Sequence, residues 1–257
     1  MRSKLAPTVL AGALVLASLV AYAPGGHAAV RPSSPLVRAA QRTAATPSLR
    51  FDLTEEIQTA GKLPYLLNAR GALADKVAKV QMKIADVRTP SGQVLTGPSA
   101  IEQTDGTFLY LRSTVTTALA GGLWVREPLA ALKDTSPELR VLHAISPRAL
   151  VQLLTRAHDL RASDNGRVYH ATLPYTDATV ASTLAGLEAG TQYRHLRLTA
   201  WISPHGRVLM LLLSGRTEDK SSTFLLTLTL DGFGKPVTIT PPRSGSFVDY
   251  DLGRLAS

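Results

Sequence analysis

From residue 49 onward the chain alternates apolar and polar positions, and the alternation predicts strands. Phe51, Leu53 and Ile57 share a face of the first, while the neighbours Glu55 and Glu56 point to opposite sides. "YLLNARGAL" reads as a second strand. In "KVQMKIADV", Val80, Met82 and Ile84 alternate with Gln81, Lys83 and Ala85. Pro90-Ser91-Gly92 marks a turn. Asp105-Gly106 marks a hairpin, followed by Phe108 and Tyr110 on one side and Leu109 and Leu111 on the other. "GGLWVRE" predicts a short strand around Trp124. The period then changes. Ser146-Pro147 forms an N-cap and N1 proline ahead of Leu150, Val151, Leu153, Leu154 and Ala157 at helical spacing. A hairpin around Asn165-Gly166 follows. Next comes a second helix capped by Thr176 or Asp177, with Val180, Leu184 and Leu187 on one face.

The last third returns to period two and contains an anomaly. In "HLRLTAWI", Leu196, Leu198, Ala200 and Ile202 face one way. After the Pro204-His205-Gly206 turn, "RVLMLLLSG" is apolar on both sides: Leu209, Leu211 and Leu213 against Val208, Met210 and Leu212. An antiparallel strand ordinarily needs one dry face. Leaving three such side chains wet would forgo about 5–9 kcal/mol, at roughly 1.5–3 kcal/mol each. A covering for the second face, or a reversed parity, is therefore expected. In "TFLLTLTL", Phe224, Leu226, Leu228 and Leu230 share a face. "KPVTITPP" reads as a final edge strand.

The strands number eight to eleven, joined by tight turns, with one or two helices between them and no βαβ rhythm. The pattern predicts an α+β fold: one large curved antiparallel sheet with helices gathered on its concave side. A sheet of this size tends to curl.

Residues 5–23 are apolar behind Arg2 and Lys4, and "GGHAAV" supplies small residues for cleavage after Ala28 or Ala29. An export signal over residues 1–28 is expected, with an uncleaved anchor as the alternative. Residues 29–48, rich in Pro, Ser, Ala and Arg, read as a flexible tether, and residues 49–250 as the folded domain. Cysteine is absent, which excludes disulfides, thiolate metal sites, a Cys nucleophile and acylation at a cysteine. Aromatic residues make up 5% of the chain, so the core is aliphatic. The formal net charge of +9 suits an anionic envelope surface, but Arg and Lys are scattered and no basic–aromatic motif points to nucleic acid.

Catalytic motifs are missing. No His pair has zinc-site spacing, there is no G-x-S-x-G elbow and no P-loop, and "GFG" at 232–234 reads as a turn. Glu218-Asp219-Lys220 reads as a hairpin tip, and nothing in the sequence joins Asp249 and Asp251 into a site. Tyr169 and Tyr193 are read as closing a core edge, with headgroup binding as the alternative, and Trp201 as packing under a loop, with an interfacial contact as the alternative. No metal or cofactor is expected.

The succession "TDGTFLYLRS", "GLWVRE", "ISPRALVQLL", "GRVYHATL", "LRLTAWISPHGRVLMLLLSG" and "LDGFGKPVTITPP" resembles the LppX/LprA/LprG family of actinobacterial envelope lipoproteins, which belongs with the LolA/LolB-like carriers. The resemblance implies an open half-barrel with helices lining its concave side and an apolar cavity for acyl chains between them. It further implies a non-enzymatic role in carrying lipids or glycolipids through the cell envelope. The family's lipobox cysteine is absent here, so the resemblance points to an exported monomer that meets a membrane or an envelope donor or acceptor protein transiently. The cavity candidates are Val80, Met82, Ile84, Phe108, Tyr110, Leu209, Leu211, Leu213, Phe224, Leu226 and Leu228. The alternative is an envelope sensor or protein-interaction module that uses the same fold without lipid.

Overall fold

A computed structural model of the chain describes residues 34–62, 64–74, 77–84, 87–88, 94–131, 146–184, 193 and 195–249. The expected leader, the Pro90-Ser91-Gly92 turn, Leu187 and Asp251 lie outside the described residues.

The chain builds two meanders. The first runs outward through β1 (Ser48–Thr59), β2 (Tyr65–Ala74), β3 (Val77–Ile84), β6 (Ser99–Thr104), β7 (Phe108–Ser113) and β8 (Trp124–Pro128). Between β3 and β6, the short strands β4 (Val87–Arg88) and β5 (Val94–Leu95) form a separate ribbon. The second meander runs inward from the far edge through β9 (His158–Ser163), β10 (Val168–Pro174), β11 (His195–Ile202), β12 (Val208–Arg216) and β13 (Ser222–Asp231). The two meet where β1 pairs antiparallel with β13, over ten residue pairs from Arg50↔Asp231 to Thr59↔Ser222. Among the described residues the sheet has twelve strands and stays open, with β9 at one edge and β14 (Phe247–Asp249) at the other. This is the expected fold class, with one addition: β14 pairs parallel with β8, so the sheet is mixed. "KPVTITPP" forms no strand. Pro236, Pro241 and Pro242 have no amide hydrogen to give a ladder.

Because the chain must cross from one sheet edge to the other between β8 and β9, that connection carries helical structure over a face. Here lie α3 (Pro147–Gln152) and a 3₁₀ turn over Leu153–Arg156, with Leu150, Val151, Leu153 and Leu154 all buried. α2 (Thr114–Leu119) starts at a Ser113–Thr116 capping box. α4 (Ala178–Leu184) starts beside Asp177, whose Oδ1 accepts from the amides of Thr179 and Val180 at 2.8 and 3.2 Å. Of the two caps expected there, Asp177 is the one used.

Residues 35–44, expected as flexible tether, form a helix instead, α1 (Pro35–Ala44). The cause is legible in hindsight. Ser34 accepts from the Val37 amide at 3.2 Å and Pro35 opens the first turn; α3 has the same Ser-Pro sequence, but Ser146 makes no side-chain cap bond. Leu36, Ala39, Ala40 and Thr43 fall on one face and are buried against α3 and the sheet. Arg42 and Arg148 fasten the ends: Arg42 Nη1 donates to His205 O at 2.6 Å and Arg148 Nη2 to Thr46 O at 3.0 Å.

A bulge beneath α1 resolves part of the anomaly of β12, turning Val208 inward while Met210 and Leu212 stay half-buried on the outer face. The register runs Ala200↔Leu211 and Trp201↔Met210, then Ile202↔Val208, so one residue of β11 opposes two of β12. This β-bulge makes Leu209 the extra residue and reverses the parity beyond it. Val208 therefore faces inward with Leu211 and Leu213, all fully buried, while Leu209 is 39% exposed. The bulge frees the Val208 amide from the ladder, and it donates to Thr43 Oγ1 of α1 at 2.8 Å. That hydroxyl in turn donates to Ala39 O at 2.8 Å.

Thr43→Val is isosteric but leaves the buried Val208 amide without an acceptor. The expected cost is about 1–3 kcal/mol in urea unfolding, with Thr43→Ser close to wild type. Equal stability of the Val and wild-type proteins would show that the amide finds another partner.

Candidate functional site

One face of the sheet is apolar nearly from edge to edge. Cross-strand register puts Ala100, Met82, Ala69, Leu53, Leu228, Leu211 and Ala200 in one continuous row. The next row holds Leu67, Glu55, Leu226, Leu213 and Leu198. The helices pack on this side: Leu36 of α1, Leu150 and Val151 of α3 and Val180 of α4 share one core with it. Of the expected cavity residues, Val80, Met82, Leu211, Leu213, Phe224, Leu226 and Leu228 lie on this inner face and are buried, and Ile84 packs partly buried at its margin.

Three candidates lie elsewhere. Leu209 is turned out by the bulge. Phe108 and Tyr110 are on the outer face, because register places Leu111 against Glu102 and Val125 and so sends Leu109 and Leu111 inward. The aromatic pair serves another end. Arg126 lies between the rings of Phe108 and Phe247, its guanidinium carbon 4.5 and 4.1 Å from their centroids. The same guanidinium donates to both carboxylate oxygens of Asp249, at 2.6 and 2.9 Å. Tyr110 meets Phe247 edge-on at 5.7 Å and donates to Asp105 Oδ2 at 3.0 Å. Burial works against the Asp105 charge, but hydrogen bonds from the Phe108 and Thr107 amides and the Tyr110 hydroxyl hold its carboxyl below the usual range. The cluster clamps β14 to the sheet edge. Asp249, which no sequence pattern joined to anything, is its anionic half.

Tyr193 is a core residue: its ring lies 5.7 Å from Phe224 and its hydroxyl 3.2 Å from Ser222 Oγ. Trp201 is half-buried beside Met210 on the outer face. A shallow groove of about 820 Å³, lined by Glu56, Gln58, Arg197, Arg216, Thr223 and Leu225 among others, opens on that face. Its lining mixes polar and apolar surface in about equal parts and carries both signs of charge.

The inner face also holds three buried carboxyls: Glu55, set opposite to Glu56 by the strand alternation, and Glu102 and Glu127, which the pattern did not single out. Glu102 is fully buried on β6. Its cross-strand neighbours are Val80 and Leu111, and Ala100 and Thr104 flank it along the strand. Neither of its carboxyl oxygens meets a hydrogen-bond partner among the described residues. Burial pushes its carboxyl well above the usual carboxylate range, which favours the neutral acid over the anion. In "SAIEQT" the parity puts Ala100, Glu102 and Thr104 inside and Ile101 at the outer face, the reverse of what side-chain polarity proposes. Only the pairing with β3 and β7 decides it.

No family model matches the sequence, and no curated protein matches it. Among solved structures, LprF from Mycobacterium bovis aligns over 81% of this chain and 95% of its own, with 16% identity and a TM-score of 0.46. The LolA superfamily protein NE2245 from Nitrosomonas europaea aligns over 82% of this chain and 96% of its own, with 11% identity and a TM-score of 0.30. These overlaps are long and their superpositions loose.

The raised carboxyl of Glu102 fixes a sign for pH dependence. The folded state holds the proton more tightly than the unfolded chain, whose glutamate releases it near the ordinary 4.5. The stability linked to Glu102 is therefore complete below that value and is lost as pH climbs toward the folded-state pKa. Glu102→Gln removes the ionisation. Its stability relative to wild type is expected to rise as the pH climbs above about 4.5 in urea titrations. A constant difference would place the Glu102 carboxyl in contact with water or a cation.

Proposed function

We propose that this chain is an exported lipid carrier of LolA-like fold that holds acyl chains against the aliphatic inner face of its sheet. The observation that carries the reading is that face itself: rows of Leu, Val, Ala and Met that run across both meanders, while the outer face of the same strands is largely polar. An acyl chain taken from water onto such a surface gains roughly 0.8 kcal/mol per CH₂. A lipid leaving a bilayer already has that gain, so a carrier needs only to match it, and a smooth aliphatic wall with few hydrogen bonds permits release as well as capture. The basic balance of the chain suits transient approach to an anionic envelope membrane or to an acceptor protein there.

Native mass spectrometry of protein purified gently from its own host is expected to show bound lipid, identified after extraction. A bare protein that also fails to take up a fluorescent acyl probe would sink the carrier reading in favour of a ligand-free sensor or interaction module.

Two adjacent residues supply a face test. Leu226 is fully buried on the inner face, and Leu225 is 38% exposed on the outer. Leu226→Asp is expected to abolish probe uptake, and Leu225→Asp to leave uptake and folding unchanged, with circular dichroism reporting the fold of each. A folded Leu226→Asp protein that binds as wild type would contradict the assignment of the cargo to the inner face.

A further inference from the structure

Glu102 does nothing for the fold that a leucine would not do better. A buried carboxyl without a partner is destabilising even when uncharged, and replacing such a group by an apolar one of similar shape is neutral or stabilising. The nearest side chains on its face offer no relief: Val80, Leu111 and Ala100 are apolar, and Thr104 Oγ1, which accepts from the Ala78 amide at 3.1 Å, makes no hydrogen bond to either Glu102 oxygen. They are also mostly short. Ala78, Val80 and Ala100 surround Glu102, and one strand beyond Val80 comes Gly71. At Gly71 even a Cβ would collide with Lys79 O and approach the Phe51 ring to 2.8 Å. Short side chains on β3 and β6, closed over at Gly71 by the Phe51 ring, thus carry one fully buried carboxyl with unused hydrogen-bonding capacity.

We propose that Glu102 is the polar anchor of the lipid site, hydrogen-bonding the ester or hydroxyl groups of an uncharged acylglycerol or glycolipid whose chains lie along the aliphatic rows. The assignment rests on the carrier reading and adds to it a ligand class and a position. A protonated carboxyl has one O–H to donate and lone pairs to accept with. An ester carbonyl takes the donor and a glycerol or sugar hydroxyl supplies the acceptor's partner, so both needs are met by one ligand without any buried charge. One such contact gives selectivity, and it is weak enough not to trap the cargo.

The test compares two pyrene-labelled probes of equal chain length, a monoacylglycerol and an alkane, on the wild-type protein, Glu102→Gln and Glu102→Leu. Wild type is expected to prefer the acylglycerol by on the order of tenfold, the worth of one net hydrogen bond. Glu102→Gln keeps most of that preference. Glu102→Leu loses it while binding the alkane as well as before, and melts at a higher temperature without ligand. An unchanged preference in Glu102→Leu overturns the anchor and leaves the carrier intact. A Glu102→Leu protein that fails to fold also overturns it, since the fold itself then requires the carboxyl. Binding of neither probe to any variant overturns the carrier reading and the anchor together. Tighter binding of an alkylamine probe than of the acylglycerol would replace the ligand class by a cationic one.

Discussion

The pairing of β1 with β13 is the constraint on which everything else depends. It joins the first long strand to the last, across most of the chain, and turns two meanders into one sheet. Strand side chains alternate with period two, so this single register decides which residues of both halves share a face. Phe51 with Leu230, Leu53 with Leu228, and Ile57 with Phe224 fall together on the inner side. A slip by one residue would set Asp52, Thr54 and Glu56 against that leucine row and expose the leucines in their place.

One deliberate irregularity keeps the second meander compatible with its covering helix. Without the bulge at Leu209, Val208 would turn away from the core and Leu209 would enter it. With the bulge, the strand end bends, an amide comes free, and Thr43 captures it. Ladder, bulge and helix therefore depend on one another: the helix needs the strand for burial, and the strand needs the helix to satisfy its backbone. The Arg126–Asp249 clamp does similar work at the opposite edge, covering an otherwise open strand with β14.

Against this background Glu102 is the exception that points to use. An aliphatic face explains itself by the hydrophobic effect alone. A fully buried carboxyl with no partner opposes that effect, and proteins concentrate such costs where they work. The proposed carrier role would reconcile the two, since an acyl lipid is apolar along most of its length and polar at one end.

Much of this was legible in the sequence because it is local. Strand alternation, the Asp105-Gly106 and Asn165-Gly166 turns and the Ser-Pro helix start each depend on residues close in the chain, and so does the absence of cysteine. The same Ser-Pro signal stood at residues 34–35 and was masked by the Ala- and Arg-rich composition around it. What the sequence could not contain was parity between distant strands. Phe108 and Tyr110 look more like core than Leu109 and Leu111 until β6 and β8 are set beside them, and Ile101 looks more like core than Glu102. Leu209 is indistinguishable from Leu211 until the bulge is placed. Side-chain chemistry says how much a residue gains by burial, but with two faces available to every strand only tertiary pairing says which face is buried.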